Sequence, residues 1–519
     1  MNHANLVAVH AEERGQAVAI KMGPRILTYR ELDRQSQTVA CGLAELGVGI
    51  GDRVMMFAEN SVEHLIVYQA AARLGAVFTP IHTAFKAREL RYAISNAVPR
   101  VVIVDAALLK LTQAVISEIG ASPKLVLLSK EGRQVSGIPS LDELTVAGGI
   151  FPPLDLPAPQ PLLISYTSGT TSLPKPVERS HGSETWSAEH YRQAWGFEPA
   201  DRVLVAMSLA WVFGLCTLSQ TALATGCTIV LEKQFSPTRT LDLIKNERIT
   251  AFAGTMSMYA MMLNIMKERS VDTGSLRKLF LGGEPRNETI VAEVERRLGH
   301  RLCEGWALTE SFPVLAVHPV RDVGGPVGTL GRLVEGAQLR LLDDEGREVA
   351  DGAAGEALIR SPGSFLGYHD QPELTSERMT ADGWIRSGDL LRRDAEGYYT
   401  FVTRRSELII RGGANISPAE IESAICAHPS AADAVVVGVP DQVKGESVIG
   451  LFTTRGGEPL ESELLRDFLV QHIAEYKVPS FLFQVAELPS GNTSKKNRVA
   501  ARVLAQELMS SILEGRGSG

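Results

Sequence analysis

Four short segments hold residues whose types and spacing suit phosphate, metal and ribose chemistry. The first is Tyr166-Thr-Ser-Gly-Thr-Thr-Ser-Leu-Pro-Lys175, which follows the apolar run Pro-Leu-Leu-Ile-Ser. Hydroxyls and a glycine amide at this density make a loop rich in donors for phosphate oxygens, and Lys175 adds a point charge. It is not a Walker loop, because Pro174 stands where the second Gly belongs and Pro176 where Ser or Thr belongs. The second is Glu304-Gly-Trp-Ala-Leu-Thr-Glu310, where a carboxylate beside a hydroxyl suits Mg²⁺ held together with phosphate, and Trp306 offers a face for a base. The third, Asp382-Gly-Trp-Ile-Arg-Ser-Gly-Asp389, delivers a carboxylate that can accept both hydroxyls of a ribose. The fourth, Pro489-Ser-Gly-Asn-Thr-Ser-Lys495-Lys496, is a small-residue loop with two lysines. Taken singly, each also reads as a polar turn or a solvated loop.

These segments need a scaffold, and the chain supplies one. Strands and amphipathic helices alternate over most of the length, the rhythm of an α/β protein with layered, largely parallel sheets. Asp52 to Ala58, Ala76 to Ile81 and Arg100 to Ala106 read as strands between helices. Gly47, Gly49 and Gly51 lie between a helix and the next strand, the reverse of a dinucleotide fingerprint, and read as a helix end and turn. After about residue 330 short strands and turns predict a small, more antiparallel β subdomain. From about 405 a small α/β domain follows. There Ser417-Pro418 with Glu420 predicts a capping box, and Leu464, Leu465, Phe468, Leu469 and Ile473 predict one apolar helix face.

The 519 residues exceed what one core usually serves. A net charge of −8 gives no electrostatic reason to expect nucleic acid or an anionic membrane. Five scattered cysteines argue against a disulfide framework or zinc site and suit a reducing cytoplasm. The N-terminus lacks the basic and apolar regions of a secretory signal. Val203 to Leu231 carries no charged residue, yet Ser, Thr and Gln interrupt it; it reads as strand, helix and strand in the middle of a parallel sheet rather than a membrane span.

In this order the four segments resemble the adenylate-forming enzymes: acyl- and aryl-CoA synthetases, nonribosomal adenylation domains and firefly luciferase. The resemblance covers nearly the whole chain, including Leu27-Thr-Tyr-Arg-Glu-Leu32 and Ser417-Pro-Ala-Glu-Ile-Glu422. It implies an adenylation core over 1–403, a hinge at 404–406 with Ser406 where Asp or Lys is more usual, and a small mobile domain over 407–519. It implies a phosphate loop of Thr167, Ser168, Gly169, Thr170, Thr171 and Lys175, and an adenine-flanking turn of Gly283, Glu284 and Pro285. Trp306 falls at the base-stacking position, Thr309 at the α-phosphate and Glu310 at Mg²⁺. Asp389 and Arg404 match the ribose contacts, and Lys495 the lysine that bridges the acid and the α-phosphate. The implied reaction joins an acid to AMP with loss of pyrophosphate, then passes the acyl group to a second nucleophile. The charge that spreads over phosphate oxygens explains the need for a lysine, a Mg²⁺ ion and loop donors together.

Departures from the family pattern are Ser172, Pro176, Thr403, Ala307 and Ser494, each where Gly is usual. None removes a charged catalytic residue. The segments that line the acid pocket in this family read here as Trp211 and Phe213, Ala253 and Gly254, Gly282, and Ala307 and Leu308. All are apolar or small, so an apolar aromatic, alicyclic or acyl acid is expected rather than an amino acid. CoA is the first expectation for the acceptor, with Arg411-Gly-Gly-Ala-Asn415 at the pantetheine channel. The alternatives are an amine or amino acid, as in coronafacate ligases, and a carrier protein. A binding protein on an inactive adenylation fold is the contrasting class, opposed by Lys495, Glu310, Asp389 and Arg404.

Overall fold

The structure is a computed structural model that describes residues 2–128, 137–145, 148–167, 173–284, 286–411, 414–441, 445–489 and 496–516; for Asn415 and residues 512–516 it describes the backbone alone. Apolar runs without alternation form the central strands, as expected where helices cover both faces of a parallel sheet. Arg53–Phe57, Val77–Ile81, Val101–Val104 and Lys124–Leu127 pair in parallel within a seven-stranded sheet. Pro161–Thr167 joins them in parallel, and Lys175–Ser180 turns back antiparallel on it, setting Thr167 opposite Lys175.

A nine-stranded sheet contains the second parallel set: Arg202–Val205, Thr228–Leu231, Ala251–Gly254, Lys278–Leu281 and Leu302–Leu308. The uncharged stretch 203–231 is thus two neighbouring buried strands and the helix between them, as its composition suggests. Among the described residues no helix is long and apolar enough to cross a membrane. That connecting helix differs from expectation in winding. Phe213–Gln220 is a π-helix and only Thr221–Thr225 is α-helical. Ser219 Oγ donates to the Gly214 carbonyl at 2.7 Å, five residues back, which fits the wider turn.

The antiparallel region is a four-stranded sheet ordered Gln338–Leu342, Ala354–Arg360, Ile385–Arg393, Tyr399–Arg404. Beyond it lies a five-stranded sheet in which Gly445–Thr454 is the hub and Ala431–Asp441 pairs antiparallel with it. The two-residue period of a strand divides its cores. Ala434 and Val436 pack with Ile421, Ile425, Leu465 and Leu469, whereas Val435, Val437 and Val439 pack with Ala501 and Ala505 of the last helix. Two local expectations are corrected here. Leu464 is 57% exposed and lies off the apolar face that buries Leu465 and Leu469. The capping box at Ser417 is only half formed: Ser417 Oγ accepts from the Glu420 amide, but the Glu420 carboxylate goes to Lys477 Nζ at 2.6 Å, because a mobile cation competes well with a backbone amide.

Candidate active site

Ligands of parallel α/β sheets sit outside the carboxyl ends of the strands, and several of the expected site residues lie at such ends. Gly254 ends Ala251–Gly254, Gly282 follows Lys278–Leu281, and Trp306 to Leu308 end Leu302–Leu308. Thr167 ends Pro161–Thr167. Gly283 has φ +80°, a left-handed conformation that a side chain would strain, and the chain turns there. Glu284 folds back to accept the Ser257 amide at 2.7 Å.

Asp389 and Arg404 are fifteen positions apart in sequence but directly opposed across two antiparallel strands. Arg404 Nε lies 3.3 Å from Asp389 Oδ1. Trp306 donates its indole N–H to Asp389 Oδ2 at 2.9 Å. The indole is 8% exposed and packs among Val314, Leu315 and Tyr399, so much of its surface serves the core and its polar edge serves the carboxylate. Burial raises the Asp389 pKa, opposed by Arg404 and by the indole bond. Thr403, at one of the glycine replacements, is buried and its hydroxyl has no hydrogen-bond partner among the described residues.

Thr309 and Glu310 form the turn of the hairpin from Leu302–Leu308 to Ser311–Ala316. The Tyr368 phenol donates to Glu310 Oε1 at 2.5 Å, and Arg378 Nε stands 3.9 Å from the same oxygen. Lys175 Nζ lies 5.5 Å from the centre of the Tyr368 ring, so Tyr368 stands between Lys175 and the turn carboxylate. The sequence reading missed Tyr368 and Arg378. Neither belongs to a short-range motif; Tyr368 arrives on the short strand Gly367–Tyr368, paired with Lys175–Ser180, and Arg378 on the helix Pro372–Arg378.

The expected acid pocket also assembles in part. A Cβ placed on Gly282 would stand 3.2 Å from Phe213 Cζ, so that glycine exists beside the phenyl ring. Trp211 and Phe213 are half-buried, Ala253 and Gly254 are buried, Leu308 is half-buried and Ala307 is exposed. The lining is not wholly apolar. His82, just after Val77–Ile81, has its ring centre 5.1 Å from that of Trp211. His82 Nδ1 accepts the Ala84 amide, which places the proton on Nε2, and burial lowers its pKa. A lone histidine after a strand carries no motif, so nothing in the sequence marked it.

Ser168, Gly169, Thr170, Thr171, Pro285 and Lys495 lie outside the described residues, as do Ser172 and Ser494. The adjacent Lys496 is described and is committed elsewhere: its Nζ lies 2.8 Å from Asp433 Oδ1 and donates to the Ala434 carbonyl at 2.5 Å. Arg411 donates to the Tyr476 and Val478 carbonyls, both at 3.1 Å. All five cysteines are free.

Residues 7–369 match the AMP-binding enzyme family, and residues 420–496 match the AMP-binding enzyme C-terminal domain. The indoleacetate–CoA ligase of Aromatoleum aromaticum is 33% identical over 95% of this chain and 96% of its own length. A feruloyl-CoA synthase of an Amycolatopsis species is 30% identical over 92% of this chain and 94% of its own. The crystal structure of ATP-bound MatB from Rhodopseudomonas palustris superposes with a TM-score of 0.89 at 29% identity, covering 98% of this chain and all of that one. The chain belongs to the AMP-binding enzyme family, the adenylate-forming superfamily. It is an AMP-forming acid ligase.

Proposed function

We propose that the protein is an ATP- and Mg²⁺-dependent ligase that converts an apolar, preferably aryl-bearing acid to its acyl adenylate and then to its CoA thioester. The observation that carries this reading is a pair of contact sets, Trp306 and Arg404 on Asp389, and Tyr368 between Glu310 of the Thr309–Glu310 turn and Lys175. The proposed ribose carboxylate and the metal-competent carboxylate are thereby held next to one strand and its turn, since Trp306 and Glu310 both belong to the segment 302–310, and the proposed phosphate-loop cation lies by the Tyr368 ring.

In this reading the nucleotide ribose hydroxyls bond to Asp389, oriented by Trp306 and Arg404. Thr309 donates to the α-phosphate, and the 167–175 loop with Lys175 holds the outer phosphates. The acid carboxylate attacks the α-phosphorus in line, a P–O bond forms, and the bond to pyrophosphate breaks. Lys495 offsets repulsion between the two anions. Mg²⁺ usually takes one or two carboxylates plus phosphate oxygens, and Glu310, fixed through Oε1 by Tyr368, fits that donor set. When bound, the ion supplies charge for the departing pyrophosphate.

The proposed boundaries remain a core over 1–403, a hinge at 404–406 and a smaller domain over 407–519. The neighbours of Ser406 support the hinge. Arg405 pairs with Glu356 and Asp344, at 2.9 and 2.8 Å, in the antiparallel region, whereas Glu407 pairs with Arg498 at 3.0 Å in the terminal region. A rotation between these two anchors would withdraw Lys495 and admit the acceptor thiol. The thiolate would then attack the acyl carbon and expel AMP. The CoA and aryl-acid assignments draw support from relatives that act on indoleacetate and form feruloyl-CoA.

Acid-dependent exchange of labelled pyrophosphate into ATP tests the first half of this reading. Exchange with aryl acids, absent without Mg²⁺, is expected. Exchange confined to α-amino acids would overturn the acid class.

A further inference from the structure

One buried ion pair lies outside every role assigned above. Arg179 and Glu184 are 0% and 1% exposed, and Arg179 Nε donates to Glu184 Oε1. Arg179 sits in Lys175–Ser180, the strand that follows the phosphate loop, and Glu184 in the first turn of the helix His181–Trp195, where the helix dipole favours a carboxylate.

The rest of the guanidinium faces the Thr309–Glu310 turn. Nη1 donates to the Gly363 carbonyl at 2.9 Å and to the Thr309 carbonyl at 3.4 Å. Nη2 donates to Ser187 Oγ at 3.0 Å, and Ser187 Oγ in turn donates to the Phe312 carbonyl at 2.6 Å. The guanidinium carbon lies 3.6 Å from the centre of the Phe312 ring. Arg179 thus underlies the hairpin turn from Thr309 to Phe312 and ties it to the Gly363 segment, whose neighbour Phe365 bonds back to the Glu310 carbonyl at 2.7 Å.

A buried ion pair is a poor way to gain stability, because desolvation of both charges consumes most of the attraction, and apolar side chains of similar volume often serve as well. A planar guanidinium does what they cannot: it fixes several acceptors at set directions at once. We propose that the Arg179–Glu184 pair is a positioning device for the phosphate turn, with Glu184 fixing the guanidinium and the guanidinium fixing the backbone at Thr309. This rests on the reading of Thr309 as the α-phosphate contact.

The test compares AMP with adenosine as calorimetric probes of the intact protein, since their affinity ratio isolates the phosphate contribution. The double variant Arg179→Met/Glu184→Leu removes both charges and leaves none unpaired. It should unfold within a few degrees of the wild type, bind adenosine unchanged, and lose about fivefold or more of the AMP preference. Arg179→Lys keeps both charges but loses the fork, and should lose part of the same preference. Wild-type AMP preference in both variants would overturn the proposal, as would an equal loss for both probes in Arg179→Lys. Thr309→Val separates the two readings. If it lowers the preference while the pair variants do not, the positioning role fails and the Thr309 role stands. If it leaves the preference unchanged, the Thr309 role fails and takes the proposal with it.

Discussion

Trp306 donates its indole N–H to Asp389 at 2.9 Å, joining the end of a parallel strand to the middle of an antiparallel one. The bond holds the Asp389 carboxylate in one orientation although the acid is buried. Trp306→Phe keeps most of the ring and loses only this donor. A hydrogen bond to a charged group is worth ~1.5 kcal/mol or more, so the KM for ATP should rise about tenfold while the unfolding midpoint changes little. Steady-state kinetics at saturating acid checks this.

The Tyr368 phenol is as close to Glu310 as a strong charge-assisted hydrogen bond requires. Tyr368→Phe should leave Glu310 less well oriented. The Mg²⁺ concentration for half-maximal adenylation should increase several-fold, and kcat at saturating Mg²⁺ should fall less than tenfold, roughly the cost of one hydrogen bond. A magnesium titration of pyrophosphate exchange measures both.

Glu304, two residues before Trp306, is pushed up to about 7, chiefly by burial, with Arg286 opposing and Glu288 adding to the rise. A carboxyl whose folded pKa lies above its unfolded value binds more protons in the folded state between the two values. Its contribution to stability is therefore full below about 4.5 and is lost as pH rises towards 7. Relative to Glu304→Gln, the wild type should lose ~3 kcal/mol across that window and then run parallel to the variant above it. Denaturant midpoints at a series of pH values give the comparison.

How far these features could be read beforehand follows from their range in sequence. The phosphate loop and the Thr309–Glu310 pair are local patterns, and runs such as Val101–Val104 announce buried parallel strands. Asp389 stood out as a turn-delivered carboxylate, but Arg404 could be singled out only by resemblance, because its opposition to Asp389 depends on strand register. Arg179, Tyr368 and His82 were silent, since the Thr309 and Gly363 carbonyls that Arg179 meets, the Glu310 carboxylate that Tyr368 meets and the Trp211 ring beside His82 all lie far along the chain. The half-formed capping box at Ser417 shows the opposite failure. The local pattern was present, and Lys477, 57 residues beyond Glu420, took the carboxylate.

In the proposed function the phenyl ring of Phe213, which lies against Gly282, bounds the acid pocket. Gly282→Ala places a methyl group 3.2 Å from that ring and displaces it. The KM for bicyclic aryl acids should rise about tenfold, while that for short acyl acids changes little, as expected for steric loss in a packed pocket. Phe213→Ala should shift preference the other way. Competition between acids of two sizes in one reaction measures the shift directly.

The two neighbouring lysines should separate chemistry from structure. Lys495→Ala is expected to abolish adenylation with an unchanged unfolding midpoint. Lys496→Ala breaks the contacts to Asp433 and Ala434 and should lower the midpoint by several degrees while adenylation persists.

The central claim is best tested by identifying products. The protein is incubated with ATP, Mg²⁺ and indole-3-acetate, ferulate and short acyl acids, with CoA in one series and amines and amino acids in another, and products are read by mass spectrometry. The account predicts an aryl-CoA together with AMP and pyrophosphate, and no thioester when ATP is omitted. An amide formed without CoA, faster than free acyl adenylate reacts with the same amine in buffer, would contradict it and identify an amide-forming ligase.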